Sequence, residues 1–436
     1  MTYATPETGM VGMAVLFILL LAGMPIGVAL GLVGFGGLAI VLGFEPALIK
    51  SGVVAFETLT RYELGTLPLF LLIAHLCFSA NASRDLFDAA AKLIGHRRGG
   101  LAMASVGGCA AFGTISGSSL ATAATIGLVA LPEMKKRGYS DALATGSVAA
   151  GGTLGQMIPP SGALIVFGII SEQSIGKLFT AAIIPGVTQM LFYLIVIALL
   201  VRWRPSIAPP SVRASWRERG AALAKVADIT ALMIFVIAGI AIGWFAPSEA
   251  AAVGVTGALA IAAWRKRLTF ASLGTALEET LRTSGLIFAV VIGALIFSVF
   301  VSVTGLADTI GLWIGGLGLG TLGTVVVIAV VLLLLGSVLD GLALMLLTTP
   351  IMLPIIESMG LSPIWFGIFL VRAMEIGFVH PPIGMNLYVI HGIAKDVHLN
   401  RIFKGVVPFL GADLFHLALL GIFPAIALWL PKVLAG

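Results

Sequence analysis

Two short stretches carry most of the polar chemistry that this sequence buries in apolar surroundings. Ser116-Gly117-Ser118-Ser119 lies in GTISGSSLATAATIG, and Asp340-Gly341 lies in GSVLDGLALMLLTTP. Hydroxyls and the free carbonyls of an interrupted helix can enclose a small cation, and the amides that open the next helix attract an anion. Asp340 adds a carboxylate; inside a membrane such a group costs about 2.5 to 3.5 kcal/mol on insertion scales and marks a functional position by default. Two proline pairs complete the set, Pro159-Pro160 in QMIPPSG and Pro381-Pro382 in VHPPIG. Neither proline of a pair donates a backbone hydrogen bond, and each pushes its predecessor out of the helical region. Gln156 to Gly162 and Gly377 to Gly384 are therefore predicted to be unwound. Glu375 is a further intramembrane carboxylate, with Arg372 one turn earlier as an alternative structural partner. His75 and His416 read as packed or interfacial residues.

Other chemistries fail on their own terms. GLGTLG (Gly318 to Gly323) has the spacing of a dinucleotide loop, but no strand precedes it. No Walker A or HExxH sequence is present, and Leu339 stands before Asp340 where an intramembrane aspartyl protease of the GxGD kind needs glycine. A Ser/His pairing through His380 would leave the second polar stretch without a role. Cys77 and Cys109 offer neither a disulfide framework nor a metal site.

The elements that hold these residues must lie in a bilayer. The chain has 436 residues, 59% hydrophobic and only 10% charged, with mean hydropathy +1.11. Apolar runs near the roughly 20 residues that span a membrane recur along it. The first basic residue is Lys50, so the stretch from Val11 reads as a retained span rather than a leader. The sequence pI of 9.3 reflects basic loops that set topology, and nucleic acid is not an expected partner. Non-helical backbone at membrane depth survives only inside protein or beside a wet cavity. A re-entrant hairpin with its tip at Ser116 to Ser119 meets that condition, and a second is predicted with its tip at Asp340.

The prolines reveal a repeat. Pro25 and Pro247, Pro132 and Pro354, and the two proline pairs are each 222 residues apart, and IIPGVTQMLF matches VVPFLGADLF at an offset of 223. The first hairpin is bracketed by His96-Arg97-Arg98 and Lys135-Lys136-Arg137, whereas no Lys or Arg occurs between Thr283 and Arg372. Under the positive-inside rule the two hairpins open to opposite faces. Arg202 to Lys225, Arg265 to Arg267 and Lys395 to Lys404 read as cytoplasmic, and Phe245 to Ala250 as external. The fold class expected is an all-α polytopic membrane protein of two inverted-topology repeats with re-entrant hairpins and broken helices. An anion in the cavity between the tips is expected to meet Ser118, Thr153, Ser161 and Asn386.

At GTISGSSLATAATIG, PEMKKRGY, GGTLGQMIPPSGALIVFG, MEIGFVHPPIGMNLYV and the Asp340 hairpin, the chain resembles the large membrane subunit of tripartite ATP-independent periplasmic (TRAP) transporters, from about residue 10 to the C-terminus. The resemblance implies an elevator-type secondary transporter in the bacterial inner membrane. It would import an organic acid (a carboxylate) with sodium ions, the acid being delivered by a periplasmic substrate-binding protein, beside a small four-helix membrane subunit. No cofactor other than the coupling ions is implied. One sodium site would use Ser116, Gly117, Ser119, Gly152 and Pro159; the other would use Gly336, Asp340, Gly377, Val379 and Pro382. His380 departs from the family pattern, where a threonine usually precedes the second proline pair. The implied organisation is scaffold over 1-82, a transport half over 83-177, scaffold and connecting helices over 178-304, a second transport half over 305-402, and a C-terminal scaffold helix over 403-436.

Overall fold

The fold follows from where the chain can begin and end a helix. Pro6, Pro247 and Pro363 each stand in the first turn of a helix, where the missing N–H costs nothing. Ser118, Ser140, Ser161, Ser174, Ser215 and Asp340 each cap one by accepting a backbone N–H. The computed structural model describes residues 5–434; the outermost residues of the first and last expected segments, 1–4 and 435–436, lie outside the described residues. Among the described residues there are only helices and connecting turns. In chain order these are α1 (Pro6–Leu21), α2 (Ile26–Leu42), α3 (Phe44–Thr60), α4 (Thr66–Ser79), α5 (Ala82–Ile94), α6 (Gly100–Ser116) and α7 (Ser119–Lys136). Next come α8 (Asp141–Met157), α9 (Gly162–Ile170), α10 (Ile175–Trp203), α11 (Trp216–Ala241), α12 (Pro247–Trp264) and α13 (Phe270–Thr304). The chain finishes with α14 (Leu306–Gly316), α15 (Gly320–Gly336), α16 (Gly341–Ser358), α17 (Pro363–Val379), α18 (Met385–Ile393), α19 (Leu399–Ile422) and α20 (Ala425–Leu434).

Among the described residues six helical stretches are long and apolar enough to cross a bilayer, and a seventh arises if α8 and α9, bent by 41° at their break, form one span. Large apolar side chains such as Ile195, Ile234, Leu286 and Phe415 are exposed on these helices, as lipid contact allows. Trp203, Trp216, Trp244 and Trp264 are also exposed and stand at or just beyond helix ends, the positions of an aromatic belt.

Small residues let the helices meet backbone to backbone, the way apolar helices associate in lipid. On α2, Gly27, Gly31 and Gly34 lie against α13; a Cβ on Gly293 would stand 2.2 Å from the Gly27 carbonyl oxygen, and one on Gly34 would stand 2.6 Å from Phe297 N. Gly146 and Gly405 bring α8 and α19 together in the same way, a Cβ on Gly146 falling 2.2 Å from the Gly405 oxygen.

The second half of the chain reproduces the helix bounds of the first. α7 and α16 differ by 222 residues at both ends, as do α8 and α17, and α8 and α17 are each followed by a proline break and a nine-residue helix, α9 or α18. Both Pro159–Pro160 and Pro381–Pro382 are cis.

Loops gather at two ends. At one, the segments around Gly95–Gly99, Ser140 and Ile207–Ser211 exchange backbone hydrogen bonds, Ser140 N donating to Ile207 O at 2.9 Å and Ser211 N to Gly95 O at 3.2 Å. Lys135 pairs with Asp396 and Arg401 with Asp141 at 2.7 Å at the same end. The hydrogen bond from Lys135 holds the Asp396 carboxyl below the usual carboxylate range. At the other end, Arg61 reaches Glu172 at 3.0 Å and the Ile169 carbonyl at 3.3 Å, beside Ala246–Ser248.

Candidate functional site

The first hairpin turns in two residues. α6 stops at Ser116 because Gly117 adopts φ 58°, a left-handed conformation that glycine tolerates, and Ser118 then caps α7. The tip is tied internally: Ser116 Oγ lies 2.7 Å from Thr122 Oγ1 and accepts from Ser118 N at 3.4 Å. It is also pressed against the first proline break. A Cβ on Gly117 would stand 2.9 Å from Pro160 O, and Gly162 N donates to Gly117 O at 3.4 Å. Gly155 permits the approach from α8, since a Cβ there would meet Thr122 Oγ1 at 2.4 Å and Ser118 O at 2.6 Å.

The second hairpin is built on the same plan with a longer tip. α15 ends at Gly336, Ser337 to Leu339 follow, and Asp340 caps α16 by accepting Ala343 N on Oδ1 at 3.0 Å. Ser118 and Asp340 thus hold equivalent cap positions, 222 residues apart. Gly377 lets α17 meet α15: a Cβ there would lie 2.3 Å from Gly336 O. Gly341 packs under Met374 and Phe378, where a Cβ would stand 2.5 Å from Met374 Sδ.

A cavity of about 440 Å³ opens between the two tips. Ser116, Gly117 and Ser118 line it from one side, Asp340 and Gly341 from the other, and Gln156, Pro160 and Gly162 contribute the first break. α4 and α13 supply an apolar wall of Leu67, Phe70, Leu71, Leu286 and Ile287, broken by the single hydroxyl of Thr283. Asp340 is its one charged lining residue, and it is exposed. The helix starts at Ser118 and Asp340 bring amide dipoles to the same space, so the site pairs oxygen ligands for a cation with N–H donors for an anion.

The residues expected from the sequence occupy distinct places. Ser119 and Asn386 are buried, and Asn386 Nδ2 donates to Ser119 Oγ at 2.9 Å and to Ala149 O at 3.1 Å, clamping α18 onto α7 and α8. Gly152 packs on Ala123 of α7, a Cβ there falling 2.6 Å from the Ala123 Cβ. Pro159 is buried within the break, and Ser161 is fully buried as the cap of α9. Thr153 points away from the cavity to Tyr193 and Gln189. In the second half Val379 is buried, while Pro382 is exposed and its carbonyl accepts the Tyr388 hydroxyl at 2.9 Å. His380 is exposed and does not line the cavity. Of the four residues expected around an anion, Ser118 lines the space. Gln156, Thr122, Thr283, Phe378 and Met385 escaped the sequence reading. Gln156 carried a signal, a polar side chain three residues before the first proline pair; Thr283 carried none, because its wall belongs to a distant helix.

The chain matches the family described as "Tripartite ATP-independent periplasmic transporter, DctM component" over residues 13–426. It is 35% identical to the C4-dicarboxylate TRAP transporter large permease protein DctM of Pseudomonas aeruginosa, over 92% of this chain and 93% of that one. It is 31% identical to the sialic acid TRAP transporter large permease protein SiaM of Vibrio cholerae, over 96% and 97% respectively. In fold it is similar to the YdaH transporter of Alcanivorax borkumensis, whose topology is described as unusual, with TM-score 0.56 and 16% identity over 87% of this chain and 89% of that one. These relatives are transporter permeases rather than enzymes, and the helical, span-forming chain described above is an integral membrane protein of the same kind. The protein belongs to the DctM family, the large permease component of tripartite ATP-independent periplasmic transporters.

Proposed function

We propose that this permease imports an organic acid across the bacterial inner membrane together with sodium ions, taking the acid from a periplasmic binding protein and working beside a small four-helix membrane subunit. One observation carries the reading. The cavity between the hairpin tips is lined by serine hydroxyls, helix starts and the Asp340 carboxylate, with no Lys or Arg in its wall. A carboxylate entering such a space gains amide and hydroxyl donors but meets a like charge, so its residence needs cations bound at the tips. Two such tips give two ion sites, one around Ser116, Gly117, Ser119, Gly152 and Pro159, the other around Gly336, Asp340, Gly377, Val379 and Pro382. Ser118 would meet the acid directly, with Thr153, Ser161 and Asn386 supporting the wall from behind it.

The hairpins and broken helices are the moving half in this reading, and α2, α4, α12 and α13 are the frame, with the two chain halves in opposite orientation. α10 and α19, first assigned to the scaffold, pack on α8 and α17 through buried polar contacts, so they are proposed to travel with the hairpins. The apolar face that α4 and α13 turn to the cavity suits sliding, since it offers the tips few hydrogen bonds to break.

The test is uptake into proteoliposomes holding the permease and its small subunit, supplied with binding protein and labelled acid. Uptake should stop when the inward sodium gradient, the small subunit or the binding protein is left out. Gradient-independent uptake would overturn sodium coupling, and uptake by this chain alone would make it a stand-alone anion carrier.

A further inference from the structure

At the end of the molecule where the basic loops gather lies a cavity of about 790 Å³ that the transport site does not use, bounded by α5, the last turns of α7, the linker 211–214 and the start of α11. Six basic and four acidic side chains line it. Each acid is already engaged. Asp88 holds Lys92 at 3.2 Å, Glu133 holds Arg137 at 2.8 Å, Asp85 meets Arg265 at 3.0 Å, and Glu218 accepts Ser215 N at 2.7 Å in the cap of α11. Arg84, Lys136, Arg213 and Lys225 line the same space. None of them belongs to an ion pair among the described residues. Topology asks only that such charges lie on the cytoplasmic face. It does not ask that they converge from four separate segments on one cavity whose acids are all engaged.

The lining is not uniformly polar. Leu128 and Val212 are 63% and 90% exposed, beside Phe87 and Val129. On α7 the exposed positions Ala121, Leu128, Pro132 and Lys136 recur at helical spacing. One face of the helix therefore carries a cation at its end and apolar side chains back toward the hairpin tip, over about 22 Å at 1.5 Å per residue. Trp216, exposed at the start of α11 three residues after Arg213, sets the linker at headgroup depth, where indole rings collect.

We propose that this cavity binds the phosphate headgroup of an anionic phospholipid of the cytoplasmic leaflet, with the acyl chains lying along the exposed face of α7. A small soluble anion would answer the four cations and leave the apolar face unexplained, whereas a phospholipid answers both. The phosphate breaks no ion pair on entering, because the cations it meets have none. Bound there, the lipid links the end of the first hairpin to the linker that joins the two halves of the chain. The central cavity shares no lining residue with this one, so the site stands whether or not sodium is the coupling ion.

Native mass spectrometry of the detergent-purified permease, titrated with phosphatidylglycerol or phosphatidylcholine, reads the binding directly. Phosphatidylglycerol should bind in preference to phosphatidylcholine. The double variant Lys136→Gln/Arg213→Gln should weaken it about tenfold or more, since each basic residue at a membrane surface adds several-fold to the attraction for an anionic lipid. Lys395→Gln/Lys404→Gln removes the same charge from the same end outside the cavity and should leave binding unchanged. All four residues are exposed, so neither variant should shift the thermal midpoint of the lipid-free protein. Equal weakening in the two double variants would overturn the proposal by reducing it to attraction towards any basic face. Inorganic phosphate that raises the thermal midpoint as far as phosphatidylglycerol does, with the rise lost in Lys136→Gln/Arg213→Gln, would make this a site for soluble anions and overturn the lipid. Should that variant not fold, Arg84→Gln/Lys225→Gln withdraws the same charge from the same cavity and carries the same expectation.

Discussion

Asp340→Asn separates the helix cap that Asp340 provides from the sodium binding proposed for it. As a cap, Asp340 accepts Ala343 N on Oδ1 at 3.0 Å, and asparagine can place an oxygen at the same point. Asparagine and aspartate rank alike as N-caps. The loss of stability is then confined to the interaction of charge with the α16 dipole, about 0.3–1 kcal/mol. The effect on ion binding is larger. A carboxylate and a sodium ion about 4 Å apart attract by about 4 kcal/mol at an effective dielectric of 20. Water in an open cavity weakens that attraction, yet even about 1.4 kcal/mol is a tenfold change in affinity. Sodium titration of uptake in proteoliposomes should therefore shift by about tenfold or more in Asp340→Asn, a size set by that same relation, while the thermal midpoint of the purified protein moves little. Asp340→Ala is the contrasting variant, since it also discards the cap and costs about 0.5–2 kcal/mol of stability. Unchanged sodium dependence in Asp340→Asn, with uptake intact, would refute the reasoning and leave Asp340 as a helix cap alone.

Two further outcomes test the packing and the topology. Gly377→Ala puts a Cβ 2.3 Å from the Gly336 carbonyl, with backbone on both sides and nothing flexible to yield; it should lose about 1–3 kcal/mol in thermal unfolding, whereas Gly107→Ala, with nothing within 4 Å, should not. Single cysteines at Ser140 and Ser358, in a background lacking the buried Cys77 and Cys109, should react with impermeant thiol reagents from opposite sides of the membrane, and reaction of both from one side would sink the inverted arrangement of the two halves.

Much of the fold was legible because membrane depth leaves the backbone few choices. The proline pairs announced the two breaks, but the breaks are shorter than expected: helices are interrupted at Ile158–Ser161 and His380–Gly384, while Gln156, Gly162 and Gly377 stay helical. The SGSS stretch announced a turn, and α6 gives way to α7 within it. Side-chain direction was less legible. Thr153 and Ser161 belong to the right segments but face inward from the cavity, because rotation about a helix axis is set by neighbours far away in sequence. Glu375 shows the same limit: the Arg372 partner one turn earlier could be read from the chain, but Asp413, which shares that guanidinium, could not. Conversely, the glycines that bring α2 onto α13 appear in the sequence as one more small-residue stripe, and only the position of Gly293 reveals what they admit.

The two halves diverge in a way that bears on how the two proposed ion sites would differ. Position 118 is serine and its counterpart 340 is aspartate; position 153 is threonine and its counterpart 375 is glutamate; position 150 is alanine and its counterpart 372 is arginine. At all three the second half carries an ionisable group where the first has a small neutral one. The groups gained at 372 and 375 pair within a buried cluster, where Arg372 also holds Asp413. The change at 340 faces the cavity and has no counterion among the residues around it. Equivalent geometry therefore does not imply equivalent affinity: the Asp340 tip attracts a cation by charge, whereas the Ser118 tip can offer only dipoles, and a cation should settle first at the second tip.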